Sequence, residues 1–119
     1  MSFEFDELMF ESYFIALAKR RYDLPLGVFH SLQEAQDYLC ELIDSDRLYV
    51  AFNNAYMAIV EGTLVNPKTA QYEKLEDDES ISVWIVEFRS GLPYGGVYFD
   101  RDHGVFRSFC ASPHHQFSD

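Results

Sequence analysis

The strongest pattern along the chain is helical. Leu32, Ala35, Leu39, Leu42 and Ile43 recur at helical spacing, and at ~100° per residue they fall on one stripe. Glu34, Asp37, Glu41 and Asp44 fall on the opposite side. Ser31 precedes the run, and Glu34 stands three residues after it. In that arrangement a hydroxyl accepts the amide of the third residue and the carboxylate reaches back to the cap. The spacing predicts an amphipathic helix over 32–44, with Phe29 or His30 packed back on its first turn.

Elsewhere the pattern favours strands. Residues 12–19, SYFIALAK, open with aromatic and β-branched side chains and read as a strand, with helix as the competitor because Ala, Leu and Lys favour it. The basic trio Lys19, Arg20 and Arg21 leads to an expected turn around Asp23-Leu24-Pro25, and Gly27-Val28-Phe29 reads as a short extended segment. Residues 48–52 read as a strand and Asn53-Asn54 as a hairpin turn, since Asn tolerates positive φ. Residues 55–65 then form the returning strand, bulged at Gly62 and ended by Asn66-Pro67. Residues 68–80 are polar and read as a solvated loop. Residues 81–88 are the clearest strand, apolar on both faces late in the run and so expected in the middle of a sheet. Residues 91–96, GLPYGG, read as a loop or wide turn. A final hairpin pairs 97–99 with 105–109 through Asp100-Arg101-Asp102-His103-Gly104, where Gly104 suits a left-handed position.

A short internal echo links Leu24-Pro25-Leu26-Gly27 with Leu92-Pro93-Tyr94-Gly95, each behind an apolar strand. It is too brief to define a repeat. The elements together predict an α+β fold: an antiparallel sheet of about five or six strands with the 32–44 helix packed on one face. The 119 residues suit a single domain, 1–119, with 1–11 as an N-terminal arm or short helix and 111–119 as a frayed tail.

Charge changes this picture most. Twenty acidic residues oppose nine basic ones, a net charge of −11. A chain so acidic is repelled by nucleic acid and anionic lipid and attracted to basic surfaces. Its 48% hydrophobic content sets it apart from a disordered acidic tail. Between Tyr22 and Pro67, seven acids (Asp23, Glu34, Asp37, Glu41, Asp44, Asp46 and Glu61) face one base, Arg47. A helix shaped by stability alone would mix Glu with Lys at i,i+4. Here the acids repel one another, and Glu41 and Asp44 also oppose the helix dipole. The run Glu76-Asp77-Asp78-Glu79 makes a second acidic patch. The bland reading of both patches is a solvated surface.

Catalytic and metal-binding patterns are weak. The Asp100–Gly104 segment lacks the third acidic ligand and the twelfth-position Glu of a calcium loop. Cys110, His114 and His115 lack zinc-finger partners. No nucleophile elbow or phosphate loop is present. Cys40 and Cys110 suit free thiols in a reducing cytoplasm, Cys40 as a small packing residue, with one distant disulfide between them as the alternative. The N-terminus is acidic, unlike a signal peptide, and no run reaches the ~18 apolar residues of a membrane span.

The leading expectation is a non-catalytic, cofactor-free cytoplasmic protein. Its acids Glu34, Asp37, Glu41, Asp44, Glu76, Asp77, Asp78 and Glu79 would dock on a basic protein, such as a nuclease or nucleic-acid-binding protein, and block it. Immunity, anti-restriction and anti-CRISPR proteins are the functional types that match in charge and size. A second expectation is a ligand-binding domain or enzyme with an aromatic pocket between sheet and helix, using His30 or His103 as acid or base. A third is a regulatory homodimer formed through an aromatic sheet face, drawing on Tyr94, Tyr98, Phe99, Phe106 and Phe109.

Overall fold

The computed structural model describes residues 12–21, 23–62 and 74–110. The expected N-terminal arm, the 111–119 tail and residues 63–73 lie outside them. Five strands and two helices follow in the order β1 (Ser12–Lys19), β2 (Asp23–Phe29), α1 (Leu32–Asp44), α2 (Leu48–Gly62), β3 (Ser82–Arg89), β4 (Leu92–Asp100) and β5 (Val105–Cys110). The sheet is antiparallel throughout, with strand order β2-β1-β3-β4-β5. β3 lies at its centre, as its two apolar faces require. The α+β expectation holds, with five strands among the described residues.

α1 forms where the pattern places it. The Glu34 amide donates to Ser31 Oγ at 3.1 Å. At the other end the Asp46 amide donates to the Ile43 carbonyl and the Arg47 amide to the Leu42 carbonyl, at 3.2 and 2.9 Å, with Asp46 at φ +57. This pair of bonds closes a helix around a left-handed residue, a place more often held by glycine. Ala35 and Leu39 are buried against Ala16, Ala18, Val83 and Ile85 of the sheet.

Residues 48–62 overturn the hairpin expected there. They form one helix, α2, with Leu48, Phe52, Asn53 and Val60 buried. The apolar run has both periods, and local propensity alone leans to strand. Two distant contacts decide the outcome. Both oxygens of the Asp78 carboxylate accept backbone amides of the first turn, from Leu48 at 3.1 Å and Tyr49 at 2.9 Å. Asn53, expected at a turn tip, points inward instead. Its Nδ2 donates to the Leu75 carbonyl at 2.8 Å, and its Oδ1 accepts the Leu75 amide at 3.1 Å. The described part of the supposed solvated loop, residues 74–80, is therefore tied to α2, with Leu75 and Asp78 buried.

The turn expected at 23–25 is strand, and so are residues 92–96 of the one expected at 91–96. The real turn between β3 and β4 is two residues, Ser90 and Gly91, both at positive φ (52 and 79). Such a primed turn matches the twist of the strands it joins. Leu17 pairs with Pro25 and Ala16 with Gly27, leaving Leu26 as the extra residue of a bulge. Phe88 pairs with Pro93 and Glu87 with Gly95, leaving Tyr94 as the extra residue. The internal echo is thus a shared device: proline near a strand start, followed by a bulge that absorbs its missing donor.

Alternation sorts the two faces of the sheet. Phe14, Ala16 and Ala18 of β1 share a side with Val83, Ile85 and Glu87 of β3 and with Gly95 and Val97 of β4. α1 packs on this side over β1, β2 and β3, and α2 over β2. Tyr13, Ile15, Leu17, Trp84, Val86, Phe88 and Tyr98 share the other side, where Tyr13 and Phe88 stack with ring centroids 5.3 Å apart.

Two stability predictions follow from these contacts. An added Cβ at Gly96 would collide with the Ile85 carbonyl oxygen and come within 3.1 Å of the Phe109 ring. Gly96→Ala should therefore cost about 1–3 kcal/mol or more in urea unfolding; an unchanged midpoint would refute the close approach. Asp78→Ala should cost about 1–3 kcal/mol, because it leaves the buried Leu48 amide without an acceptor. Circular dichroism should show the loss as helix, and Asp78→Asn, which keeps one carbonyl oxygen, should recover part of it.

Candidate functional site

The acids expected at a partner site split into two groups. Glu34, Asp37, Glu41 and Asp44 are all exposed along the outer side of α1, opposite the buried Ala35 and Leu39. Asp37 Oδ1 accepts Gln33 Nε2 at 2.7 Å. Glu76, Asp77 and Glu79 are likewise exposed. Asp78 is not: it is 7% exposed, and its carboxylate caps α2. It is a structural residue and leaves the set of contact candidates. The sequence shows four acids in a row and cannot show which one turns inward.

The same bond ties the 76–79 run to the first turn of α2, the element that follows α1. Asp78 is fastened to Leu48, two residues after Asp46 and four after Asp44. Four residues span at most about 14 Å, so the Asp78 cap holds the 76–79 run within that order of distance of Asp44, the last acid of the α1 stripe. Arg101 of the β4–β5 turn holds this loop from the other side, its guanidinium donating to the carbonyls of Asp78 and Ile81.

A cleft of about 580 Å³ opens on the helix side of the sheet, over β4 and β5 and beside the start of α1. Phe14, Leu32, Glu87, Tyr94, Val97 and Cys110 contribute to its lining. Leu32 begins α1, so the cleft adjoins the N-terminal end of the acidic helix. An aromatic pocket between sheet and helix was one expectation, but neither His30 nor His103 is among its described lining residues. Its chemistry-bearing groups are Glu87, Ser108 and Cys110. Sequence reasoning passed over Glu87, although its phase with Val83 and Ile85 places an acid on the core side of β3. Arg89 Nε donates to Glu87 Oε2 at 2.7 Å, and the Arg89 guanidinium lies 3.6 Å from the centre of the Tyr94 ring.

The aromatics expected on a sheet face divide by alternation. Phe99 and Phe106 meet edge to face and pack on the core, while Tyr98 lies on the other side and is 43% exposed. Both cysteines are free. Burial, then the Asp44 and Asp37 carboxylates, push the Cys40 thiol up from its ordinary range, which makes it a poor nucleophile.

The Asp100–Gly104 segment is a hairpin turn. Asp100 Oδ1 accepts the amides of Asp102 and His103, and Oδ2 lies 2.6 Å from Arg107 Nε and 2.9 Å from His103 Nδ1. The Arg107 hydrogen bond, supported by His103, lowers the Asp100 carboxyl to about 2. A folded value below the unfolded one adds stability above pH ~4, and this is lost as the pH falls toward 2. Asp100→Asn should therefore lower the unfolding midpoint at pH 7, and the gap to wild type should close by pH 2. A gap that stays constant with pH would show that Asp100 acts only through turn geometry.

Searches against family models, curated proteins and solved structures return no match for this chain.

Proposed function

We propose that this protein is a non-catalytic, cytoplasmic interaction module that docks its acidic helix layer on a basic protein surface. The blocking of a nuclease or nucleic-acid-binding protein is the form of this activity that best suits its charge. One observation carries the reading. Glu34, Asp37, Glu41 and Asp44 form an exposed stripe, and the Asp78 cap ties the exposed Asp77 and Glu79 to the element that follows it. Neighbours at i,i+3 and i,i+4 lie about 5–6 Å apart, inside the ~8 Å screening length of physiological salt. Their fields therefore add. Such a field speeds encounter with a basic partner and rejects an acidic one.

The stripe also costs stability locally, since like charges at helical spacing each oppose the helix by a few tenths of a kcal/mol, about 0.2–0.5 per pair. Ala35, Leu39 and the Ser31 cap carry α1 regardless. The acids can therefore be changed without loss of the fold, which makes the test clean. Asp37→Lys with Glu41→Lys should keep the circular dichroism spectrum. Attached to resin in nuclease-treated lysate, wild type should capture a basic protein that ~0.5 M salt releases, as screening at that strength requires, and the double variant should capture at least tenfold less. Equal capture by the two proteins would refute the helix stripe as the docking surface.

A further inference from the structure

We propose that the cleft over β4 and β5 is a receptor for an arginine side chain of the basic partner, a hot-spot pocket beside the acidic helix. This deepens the preceding proposal and rests on its partner being basic.

The argument begins at Glu87. Residues 83, 85 and 87 share the helix side of β3; the first two are buried Val and Ile, and the third is a carboxylate. Alternation asks for a hydrophobe there. An acid in that place costs desolvation unless it is paired, and departures of this kind concentrate at functional sites. Opposite it, Gly95 contributes no side chain, and both residues line the cleft. Around them stand the aromatic rings of Phe14 and Tyr94 and the aliphatic side chains of Leu32 and Val97.

A pocket with an apolar wall, aromatic faces and one carboxylate suits a guanidinium on a three-carbon stem. Arginine stacks on aromatic faces and forks onto carboxylates, whereas lysine is a compact, strongly hydrated charge. The molecule already displays this chemistry in cis. Arg89 lies over the Tyr94 ring and donates to Glu87 through Nε, with its side chain 49% exposed. The same two surfaces, approached from within the cleft, accept an incoming guanidinium. Anionic occupants are disfavoured by the net charge of −11 and by the α1 acids that begin two residues from Leu32.

The test needs no partner. N-acetyl-arginine methylamide is titrated into ¹⁵N-labelled protein, and N-acetyl-norleucine methylamide serves as the uncharged control of similar stem length. The arginine probe should shift the amides of Glu87, Gly95, Gly96 and Ser108 with a dissociation constant on the order of millimolar, as a ligand this small allows. The norleucine probe should bind roughly tenfold more weakly. Glu87→Gln, which is isosteric, should weaken the arginine probe to the norleucine level while its own spectrum overlays wild type away from the cleft. Absence of shifts at these amides, equal binding of the two probes, or an unaffected Glu87→Gln variant would each overturn the proposal. Failure here is distinct from failure of the helix reading. Asp37→Lys with Glu41→Lys leaves the cleft lining intact, so cleft shifts that persist in a variant with undiminished lysate capture retire the stripe and keep the pocket. Lost capture without cleft shifts does the reverse.

Discussion

The carboxylate of Asp78 accepts the amides of Leu48 and Tyr49 across about thirty positions of sequence, and much of the architecture hangs on that contact. A helix start leaves four backbone amides without partners, and the first turn of α2 is buried at Leu48. An acceptor from elsewhere in the chain is required. Once Asp78 supplies it, Leu75 falls into place against Asn53, and Arg101 locks the segment to the β4–β5 turn. The segment that leads into β3 thereby joins the helix layer to the sheet. One residue of an acidic run is withdrawn from solvent, and its neighbours are held near the start of α2.

The sheet is organised by a second constraint, the repeated Leu-Pro-x-Gly bulge in β2 and β4. Each bulge admits a proline near a strand start and shifts the register by one residue, after which alternation resumes. In β4 that shift sets Gly95 against Glu87 and Gly96 against Val86. The first pairing lies in the lining of the cleft; the second lets the strand approach the Ile85 carbonyl closely. The cleft thus follows from strand register together with the placement of α1, which packs chiefly over β1, β2 and β3.

These two constraints place charge and shape side by side. The acidic stripe contributes long-range attraction, which is broad and salt-sensitive. The cleft contributes a desolvated contact that a specific side chain can fill, the kind of feature in which binding energy concentrates. Leu32, at the start of α1, belongs to the lining of the second and opens the helix that carries the first.

Read from sequence alone, the elements that emerge correctly are those whose caps, turns or apolar patterns are local. α1 follows from a cap bond spanning three residues and from its own apolar stripe; the β4–β5 turn follows from Asp100 and Gly104 a few residues apart; β3 follows from its two-sided apolar run. The acidic stripe is legible for the same reason, because helical spacing alone sets which residues share a side. Tertiary structure decided the rest. Residues 48–62 are apolar at both strand and helix periods, and the groups that select the helix, Asp78 and Leu75, lie more than twenty positions away. The same distance hides which acid of the 76–79 run is buried and where the other three come to rest. Glu87 becomes a pocket residue only when a bulge one strand away sets glycine opposite it, and no local property of the chain carries that register.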